Sequence, residues 1–235
     1  MAAIGQYGAE ARRRIAAHYD AVYSTGDDVG QDDSRLYRSF VRALVRKAAL
    51  PEGARLLDVG CGRGHLSRFL AECGLRVWCT DLSIIGLKSL DRYAGVFQGK
   101  RVVADLMHPA FDSAFDVIFQ RSCSLFNSPE AVGQLDVVER LADCARVNGV
   151  LCVVYNSDLS GYEDAWLWFN HTAQTFRAAF ASARLSNVKI YVVNKLDCMV
   201  LGRYSFSQPM TLMNLVLAKF TRRGFEIVVF ARRSR

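Results

Sequence analysis

The segment Leu56-Leu57-Asp58-Val59-Gly60-Cys61-Gly62-Arg63-Gly64-His65 sets the architecture of this 235-residue chain, because an apolar strand here runs into a cluster of glycines and then a helix. Four further apolar runs of strand length follow, at residues 75–80, 100–104, 115–120 and 150–155. Helical patterns separate these runs, as is typical of parallel strands joined by right-handed crossovers. The sequence therefore predicts an α/β fold with a mostly parallel sheet and helices on both of its faces.

Helical spacing of apolar residues predicts the connecting helices and a helical lead-in before the first strand. The predicted helices span residues 8–23, 36–50, 64–73, 84–93, 129–147, 162–183 and 210–223. Nearer the end of the chain, residues 188–196 and 199–206 are predicted to be extended, with a turn around Asp197 and Cys198. Residues 225–231 are predicted to form a closing strand.

The composition is that of a compact globular protein. Hydrophobic residues make up 51% of the chain, charged residues 23%, and the mean hydropathy is +0.08, which excludes a disordered or fibrous protein. The longest apolar runs, such as 149–155, are far shorter than the roughly 20 residues of a membrane helix, and the chain shows no secretory signal. We therefore expect no membrane partner. The 7 cysteines are irregularly spaced without a C-x-x-C pair, so we expect a cytoplasmic protein without a metal site or a disulfide scaffold.

Positive charge is concentrated in the last quarter of the chain. The net charge is +7, and from Arg184 onward there are ten Lys and Arg residues but only two acidic ones. Such a segment can attract an anionic partner, and it is equally typical of a solvated basic surface. The sequence carries no recognisable RNA-binding module and no signal for an oligomeric state.

The glycine cluster marks a ligand site, because ligands of open parallel sheets bind beyond the carboxyl ends of the strands. A dinucleotide fingerprint has the spacing G-x-G-x-x-G, whereas Gly60, Gly62 and Gly64 give G-x-G-x-G behind an acid, Asp58. No Gly-Lys-Ser/Thr follows, which excludes a Walker-type phosphate loop. The spacing therefore argues against a pyrophosphate ligand.

Two further acids follow the next two predicted strands. Asp81 lies 21 positions after Gly60, a separation at which a carboxylate can accept hydrogen bonds from ribose hydroxyls. Asp105 follows the third strand and can meet an adenine amino group. Three acids at strand ends around one glycine loop therefore indicate a nucleoside ligand.

In this order the motifs resemble those of the class I S-adenosylmethionine-dependent methyltransferases. In that family an acid and G-x-G-x-G follow the first strand, an acid ending the second strand binds the ribose, and an acid after the third contacts adenine. Residues 115–121 and 149–155 are similar to the family's fourth and fifth strands, so the resemblance covers about residues 35–156. It departs at the end, where the segments between Val188 and Phe206 either supply a missing sheet edge or form an added cover over the substrate.

The resemblance implies a Rossmann-like, doubly wound, mostly parallel sheet of seven strands in a single domain over residues 1–235. Residues 1–50 would form a helical lead-in, 51–156 the cofactor-binding core, and 157–235 the acceptor side and the strands that close the sheet. The implied cofactor is S-adenosylmethionine. The residues expected to bind it are Asp58, Gly60, Cys61, Gly62, Gly64, Asp81, Leu82, Asp105, Leu106, Gln120, Arg121 and Tyr23.

Histidine titrates nearest to neutral pH, so histidines are the candidates for a general base. His108 follows Asp105 closely enough to lie at the cofactor, and His171 ends an aromatic segment that begins at Trp166 and could face the acceptor. These two are the candidate catalytic residues, each also open to a structural role, and His18 is a weaker candidate. A base is needed only if the attacking atom is protonated and poorly acidic.

Three functions remain open at this point. The first is methyl transfer to oxygen or nitrogen of a small and possibly anionic acceptor, such as a sugar or a secondary-metabolite intermediate. The second keeps the reaction but uses RNA as the acceptor, held by the basic C-terminal segment. The third is a non-catalytic nucleotide-binding protein that uses this fold for assembly or regulation.

Overall fold

Strands and helices alternate along most of the chain. The computed structural model describes residues 9–25, 34–95, 100–108, 111–123, 134–157, 172–181, 184–221 and 224–234. The strands are β1 Arg55–Val59, β2 Arg76–Asp81, β3 Arg101–Val103, β4 Phe115–Arg121, β5 Ala145–Asn156, β6 Leu185–Asn194 and β7 Phe225–Arg233. The described helices are α1 Ala9–Ser24, α2 Ser34–Ala48, α3 His65–Glu72, α4 Ile84–Lys88, α5 Gln134–Cys144, α6 Ala173–Ala179, α7 Lys195–Leu201 and α8 Gln208–Leu217.

The seven strands form one sheet in the order β3-β2-β1-β4-β5-β7-β6. The first five in this order are parallel, and β7 lies antiparallel between β5 and β6. The prediction of a doubly wound, mostly parallel seven-stranded sheet is therefore confirmed.

The sheet is buried on both faces, which explains the continuous apolar runs of its central strands. On one face Leu57 of β1 packs in a cluster with Val137 of α5 and Phe176 of α6. On the other face Leu56 packs in a cluster with Leu44 of α2. The strands thus end in a rigid frame that fixes the positions of the loops beyond them.

Strand β6 forms the edge of the sheet for which the sequence allowed two interpretations. Of the two segments predicted to be extended, the first forms this strand, but the prediction for 199–206 is wrong. Asn194 and Asp197 make reciprocal hydrogen bonds with each other's backbone N–H groups, and this capping box begins α7 where a turn was predicted. The first of the two interpretations, a sheet edge, therefore holds for β6.

Helix α8 lies along the free edge of β6. Thr211 Oγ1 accepts a hydrogen bond from the Val192 N–H, and Asn214 Nδ2 donates to the Val192 carbonyl at 3.0 Å. Both α8 side chains are buried. They satisfy backbone groups that would otherwise be unpaired at the edge of the sheet.

Two predicted helices end earlier than the sequence indicated. The helix predicted to reach residue 147 ends at Cys144, because Ala145 already pairs with Phe115 of β4. Of the helix predicted over 162–183, the described part is α6, which begins after the Thr172 cap and ends at Ala179. Residues 158–171 lie outside the described residues.

No described helix is both long and apolar enough to cross a bilayer. Within the same residues, no three His, Cys, Asp or Glu side chains are grouped as a metal site would require. All seven cysteines are described, and each is a free thiol.

Candidate active site

The glycine loop between β1 and α3 is built from left-handed backbone. Gly60, Gly62 and Gly64 have φ angles of +69°, +52° and +72°. A side chain at Gly62 would also collide with α1, since its Cβ would lie 2.7 Å from the hydroxyl oxygen of Tyr23. The glycine at this position is required both by its φ angle and by the close approach of Tyr23.

The backbone N–H groups of this loop are used within the protein. Those of Gly60 and Cys61 donate to the Thr80 carbonyl at 2.8 and 3.1 Å, and that of Gly62 donates to Asp81 Oδ2 at 2.8 Å. The Gly64 N–H donates to the Cys61 carbonyl. These four donors are not free to cradle a phosphate, which agrees with the argument against a pyrophosphate ligand.

A buried carboxyl group lies beneath the loop. Asp58 Oδ2 accepts a hydrogen bond of 2.5 Å from Ser67 Oγ. Burial raises the pKa of Asp58 from 3.8 to about 7, the Ser67 hydrogen bond opposes this, and the charge of Asp81 adds to it. With two acids so close, the loop disfavours an anion and favours a ligand that carries positive charge there, as a sulfonium does.

Asp81 ends β2 and faces the same loop. Its two carboxylate oxygens accept the backbone N–H groups of Gly62 and Ser83, each at 2.8 Å. Burial raises its pKa and these backbone hydrogen bonds lower it. A carboxylate has about four acceptor positions, so Asp81 can still accept hydrogen bonds from the hydroxyls of a ribose.

Asp105 follows β3 and is held from two sides. Its Oδ2 is 3.0 Å from Arg12 Nη1 of α1 and 3.1 Å from His108 Nδ1, and its Oδ1 accepts the Met107 N–H. His108 is mostly exposed and lies at this acid. The structure therefore brings His108 to the side of the site where the sequence predicts the cofactor.

Two adjoining cavities open over the loop and share Tyr19, Tyr23, Gly60 and Ser122. The smaller, the adenosine-side cavity, has a volume of about 60 Å³, and the larger, the loop cavity, about 370 Å³. The adenosine-side cavity is lined by Ile15, Tyr19, Tyr23, Val59, Gly60, Thr80, Asp81, Leu82, Ala104, Leu106, Ser122 and Cys123. The loop cavity is lined by Tyr19, Val22, Tyr23, Tyr37, Asp58, Gly60, Cys61, Gly62, Arg63, His65, Leu66, Phe119, Arg121 and Ser122.

Helix α1 closes the adenosine-side cavity. Asp20 accepts hydrogen bonds from Ser83 Oγ and from the Ile85 N–H at the start of α4, and Arg63 donates to the Tyr23 carbonyl. One water requires about 10–15 Å³ of such a cavity, so there is room for only a few waters. The chemistry of the lining suits an adenosine, but α1 must shift to admit one.

The end of β4 contributes to both faces of the sheet. Arg121 lines the loop cavity, where its guanidinium pairs with Glu226 at 2.5 Å and lies over the ring of Tyr37. Gln120 is fully buried on the opposite face, and neither its amide oxygen nor its amide nitrogen has a hydrogen-bond partner among the described residues. Such a group is costly unless a ligand or water satisfies it, so Gln120 is suited to meet one.

His65 was not singled out by the sequence analysis, although it directly follows Gly64. It lines the loop cavity, with Nε2 3.2 Å from Arg92 Nη2 and Nδ1 3.1 Å from the Tyr93 hydroxyl. A guanidinium can only donate, so Nε2 is the acceptor in this contact. The sequence could have indicated His65 as a site residue, because it stands next to the last glycine of the motif.

The structure brings most of the predicted site residues together. Those that line the cavities are Asp58, Gly60, Cys61, Gly62, Asp81, Leu82, Leu106, Arg121 and Tyr23. Gly64, Asp105, His108 and Gln120 do not line either cavity, although Ala104 and Leu106 on both sides of Asp105 do. His171 lies outside the described residues.

Comparison with known proteins gives a match over the same part of the chain. A family described as methyltransferase domain matches residues 56–149. The cypemycin N-terminal methyltransferase of Streptomyces sp. is 32% identical over 91 residues, which are 39% of this chain and only 37% of that protein.

Two solved structures share the fold over nearly the whole chain. The [4+2]-cyclase SpnF has a TM-score of 0.68 at 17% identity, covering 94% of this chain and 96% of its own. The magnesium protoporphyrin IX methyltransferase of Synechocystis PCC 6803, solved with bound SAH, has a TM-score of 0.63 at 18% identity, covering 95% and 99%. Residues 56–149, which build the loop and its acids, are thus similar to a methyltransferase domain, and the sheet around them has the fold of a solved methyltransferase.

Proposed function

We propose that the protein transfers the methyl group of S-adenosylmethionine to an oxygen or nitrogen atom of a small-molecule acceptor. The observation that carries this proposal is the loop cavity of about 370 Å³, which lies directly over the glycine loop and its buried acid Asp58. A cavity of this size suits a compact ligand better than an extended polymer. The cofactor supplies a methyl group activated on a sulfonium sulfur.

In this proposal the protein acts mainly by placement. Asp81 accepts the ribose hydroxyls, Asp105 accepts the adenine amino group, and the loop around Gly60 and Gly62 lies along the amino-acid part of the cofactor. Holding an acceptor in line with the sulfur contributes roughly 7–11 kcal/mol to lowering the barrier.

The acceptor would enter from the side of Arg121 and Tyr37. Gln120, with its unsatisfied amide, is proposed to bind the cofactor or the acceptor near the end of β4. His171 and His108 remain the proposed bases, and the contact of His108 with Asp105 supports a place for it at the cofactor. His65 is a further candidate, because it lines the loop cavity.

The small-molecule class is supported by the named relatives. One relative methylates the N-terminus of cypemycin by its name, and one similar fold acts on magnesium protoporphyrin IX. RNA as the acceptor is less supported, because part of the basic C-terminal segment is engaged within the fold. Arg184 pairs with Glu139 and Asp143, and Arg233 donates to Ser113 Oγ.

A second candidate function is a cyclisation that uses the bound cofactor without transferring its methyl group, since a [4+2]-cyclase shares this fold. Label transfer separates the candidates. Calorimetry should first detect binding of S-adenosylmethionine and of S-adenosylhomocysteine to the purified protein. Incubation with methyl-labelled cofactor should then label compounds in a panel of small alcohols, amines and peptides but not RNA.

Two results would contradict the proposal. Absence of binding to either compound would exclude the cofactor, and binding without transfer to any acceptor would favour the cyclase or a non-catalytic binding protein. Gln120→Leu serves as a matched variant of nearly equal volume. If Gln120 meets the ligand, this change should weaken cofactor binding or label transfer without lowering the melting temperature.

A further inference from the structure

The outer face of α8 exposes a row of large apolar side chains. Leu212, Val216 and Phe220 are 64%, 48% and 83% exposed, and Leu215 beside them is 41% exposed. Leu212, Leu215 and Val216 are three or four residues apart and so lie along one side of the helix, and Phe220 lies in the turn that follows Leu217. We refer to these four residues as the outer face of α8.

The side of α8 that faces the protein carries two polar side chains besides Leu217 and Ala218, which pack on the core. Thr211 and Asn214 are buried against the edge strand, where they bond to both backbone groups of Val192. A surface helix ordinarily buries its apolar stripe and exposes its polar one. Helix α8 instead exposes most of its large apolar side chains, and exposed apolar surface of this extent marks an interaction site.

The exposed charged residues described between residues 195 and 221 are all positive. Lys195, Arg203 and Lys219 are exposed, and none of them has an ion-pair partner in the described part of the chain. Lys219 follows Leu212 by seven residues and so ends the same helical stripe. The one acid between residues 195 and 221, Asp197, is buried and hydrogen-bonded to Asn214.

These charges decide which partner fits. In a symmetric dimer the same patch of both copies meets, so the interface would gather positive charges without an acid to pair with them. A protein partner would need hollows for side chains that protrude singly, such as Phe220 and Met199, which is 72% exposed. A fluid anionic surface receives protruding apolar side chains without such hollows and is attracted by the cations.

We propose that the outer face of α8 docks onto an anionic phospholipid bilayer. The helix lies in the plane of the interface, with Leu212, Val216 and Phe220 among the acyl chains and the Lys219 ammonium among the phosphates. Its ten residues extend about 15 Å, half of the hydrocarbon thickness, so this is surface binding and not a span. The inference does not rest on the proposed methyl transfer.

Docking would bring the rim of the site near the lipid. Asn194 at the end of β6 pairs with Phe225 at the start of β7. The next residue of β7, Glu226, pairs with Asn156 at the end of β5, so these residues lie at the same end of the sheet. Glu226 holds Arg121 in the loop cavity. The turn carrying Phe220 therefore leads directly into the strand that bounds the candidate acceptor side.

Sedimentation with vesicles tests the proposal on the full chain. The protein should bind phosphatidylcholine vesicles that contain phosphatidylglycerol, bind pure phosphatidylcholine much more weakly, and dissociate as salt is raised. Lys219→Ala should weaken binding to the anionic vesicles about fivefold. The double change Leu212→Ser and Val216→Ser should reduce binding at least tenfold, because it removes the buried apolar area.

The matched control is Val103→Ser, which changes an equally exposed apolar residue on β3 at the opposite edge of the sheet. This variant should bind vesicles like the unchanged protein. Failure of the unchanged protein to bind anionic vesicles at low salt overturns the proposal and leaves a protein partner. A dimer that Leu212→Ser converts to a monomer, without vesicle binding by either form, overturns it in favour of a second copy.

Discussion

Gly53 and Gly64 both adopt left-handed backbone, but their surroundings differ. Gly53 has φ +78° and a Cβ added there would meet no atom within 4 Å, whereas a Cβ on Gly64 would overlap Leu90. We expect Gly53→Ala to lower the free energy of unfolding by about 1 kcal/mol through its φ angle alone. Gly64→Ala should lower it by about 3 kcal/mol, because overpacking against Leu90 is added. Urea unfolding of both variants measures the difference, and equal values would show that Leu90 yields.

Asp58 should make stability depend on pH. Its folded pKa of about 7 lies above the ordinary value of 3.8, so the folded state holds the proton more tightly than the unfolded state does. Its contribution is complete below about pH 4 and is lost as pH rises through about 7. Asp58→Asn cannot titrate, so the variant should gain stability relative to the unchanged protein between about pH 5 and pH 8. Urea unfolding at both values tests this, and a constant difference would contradict it.

At the scale of elements, α1 lines the adenosine-side cavity, and we expect it to control entry there. Asp20 bonds α1 to the start of α4, and loss of these two hydrogen bonds should raise the open fraction about tenfold. We therefore expect Asp20→Ala to speed the association of S-adenosylhomocysteine about tenfold in stopped-flow measurements. Glu10→Ala, which alters an exposed acid of the same helix, is the control and should leave the rate unchanged. An unchanged rate in Asp20→Ala would mean that α1 does not limit entry.

The elements also differ in how far the sequence could predict them. The strand and glycine loop at 55–64 were predictable, because burial on both faces and left-handed glycines leave a strong local pattern. Helix α7 was not predicted, since its capping residues Asn194 and Asp197 are also common in turns. The docking of α1 on the loop was beyond the sequence as well. Contacts such as that of Tyr23 with Gly62 join residues far apart in the chain and leave no local pattern.

For the whole molecule, ligand binding should appear as thermal stability. A ligand at one hundred times its dissociation constant stabilises the folded state by about 2.7 kcal/mol, which corresponds to about 5–10 °C in a domain of this size. We expect S-adenosylhomocysteine to raise the melting temperature by this amount in differential scanning fluorimetry. NADH should leave it unchanged, because the loop donors are already used and two acids face the loop. A rise with NADH alone would reassign the site to a dinucleotide.

The position of β7 between β5 and β6 has a consequence for biosynthesis. The ribosome releases β6 before β7, yet in the described sheet β6 pairs only with β7. The nascent chain must therefore keep β6 without a strand partner, and one edge of β5 unpaired, until Phe225–Arg233 emerges and inserts between them. During that interval the growing polypeptide is a natural client for chaperones, and a translational stall before Phe225 would leave a product prone to aggregate.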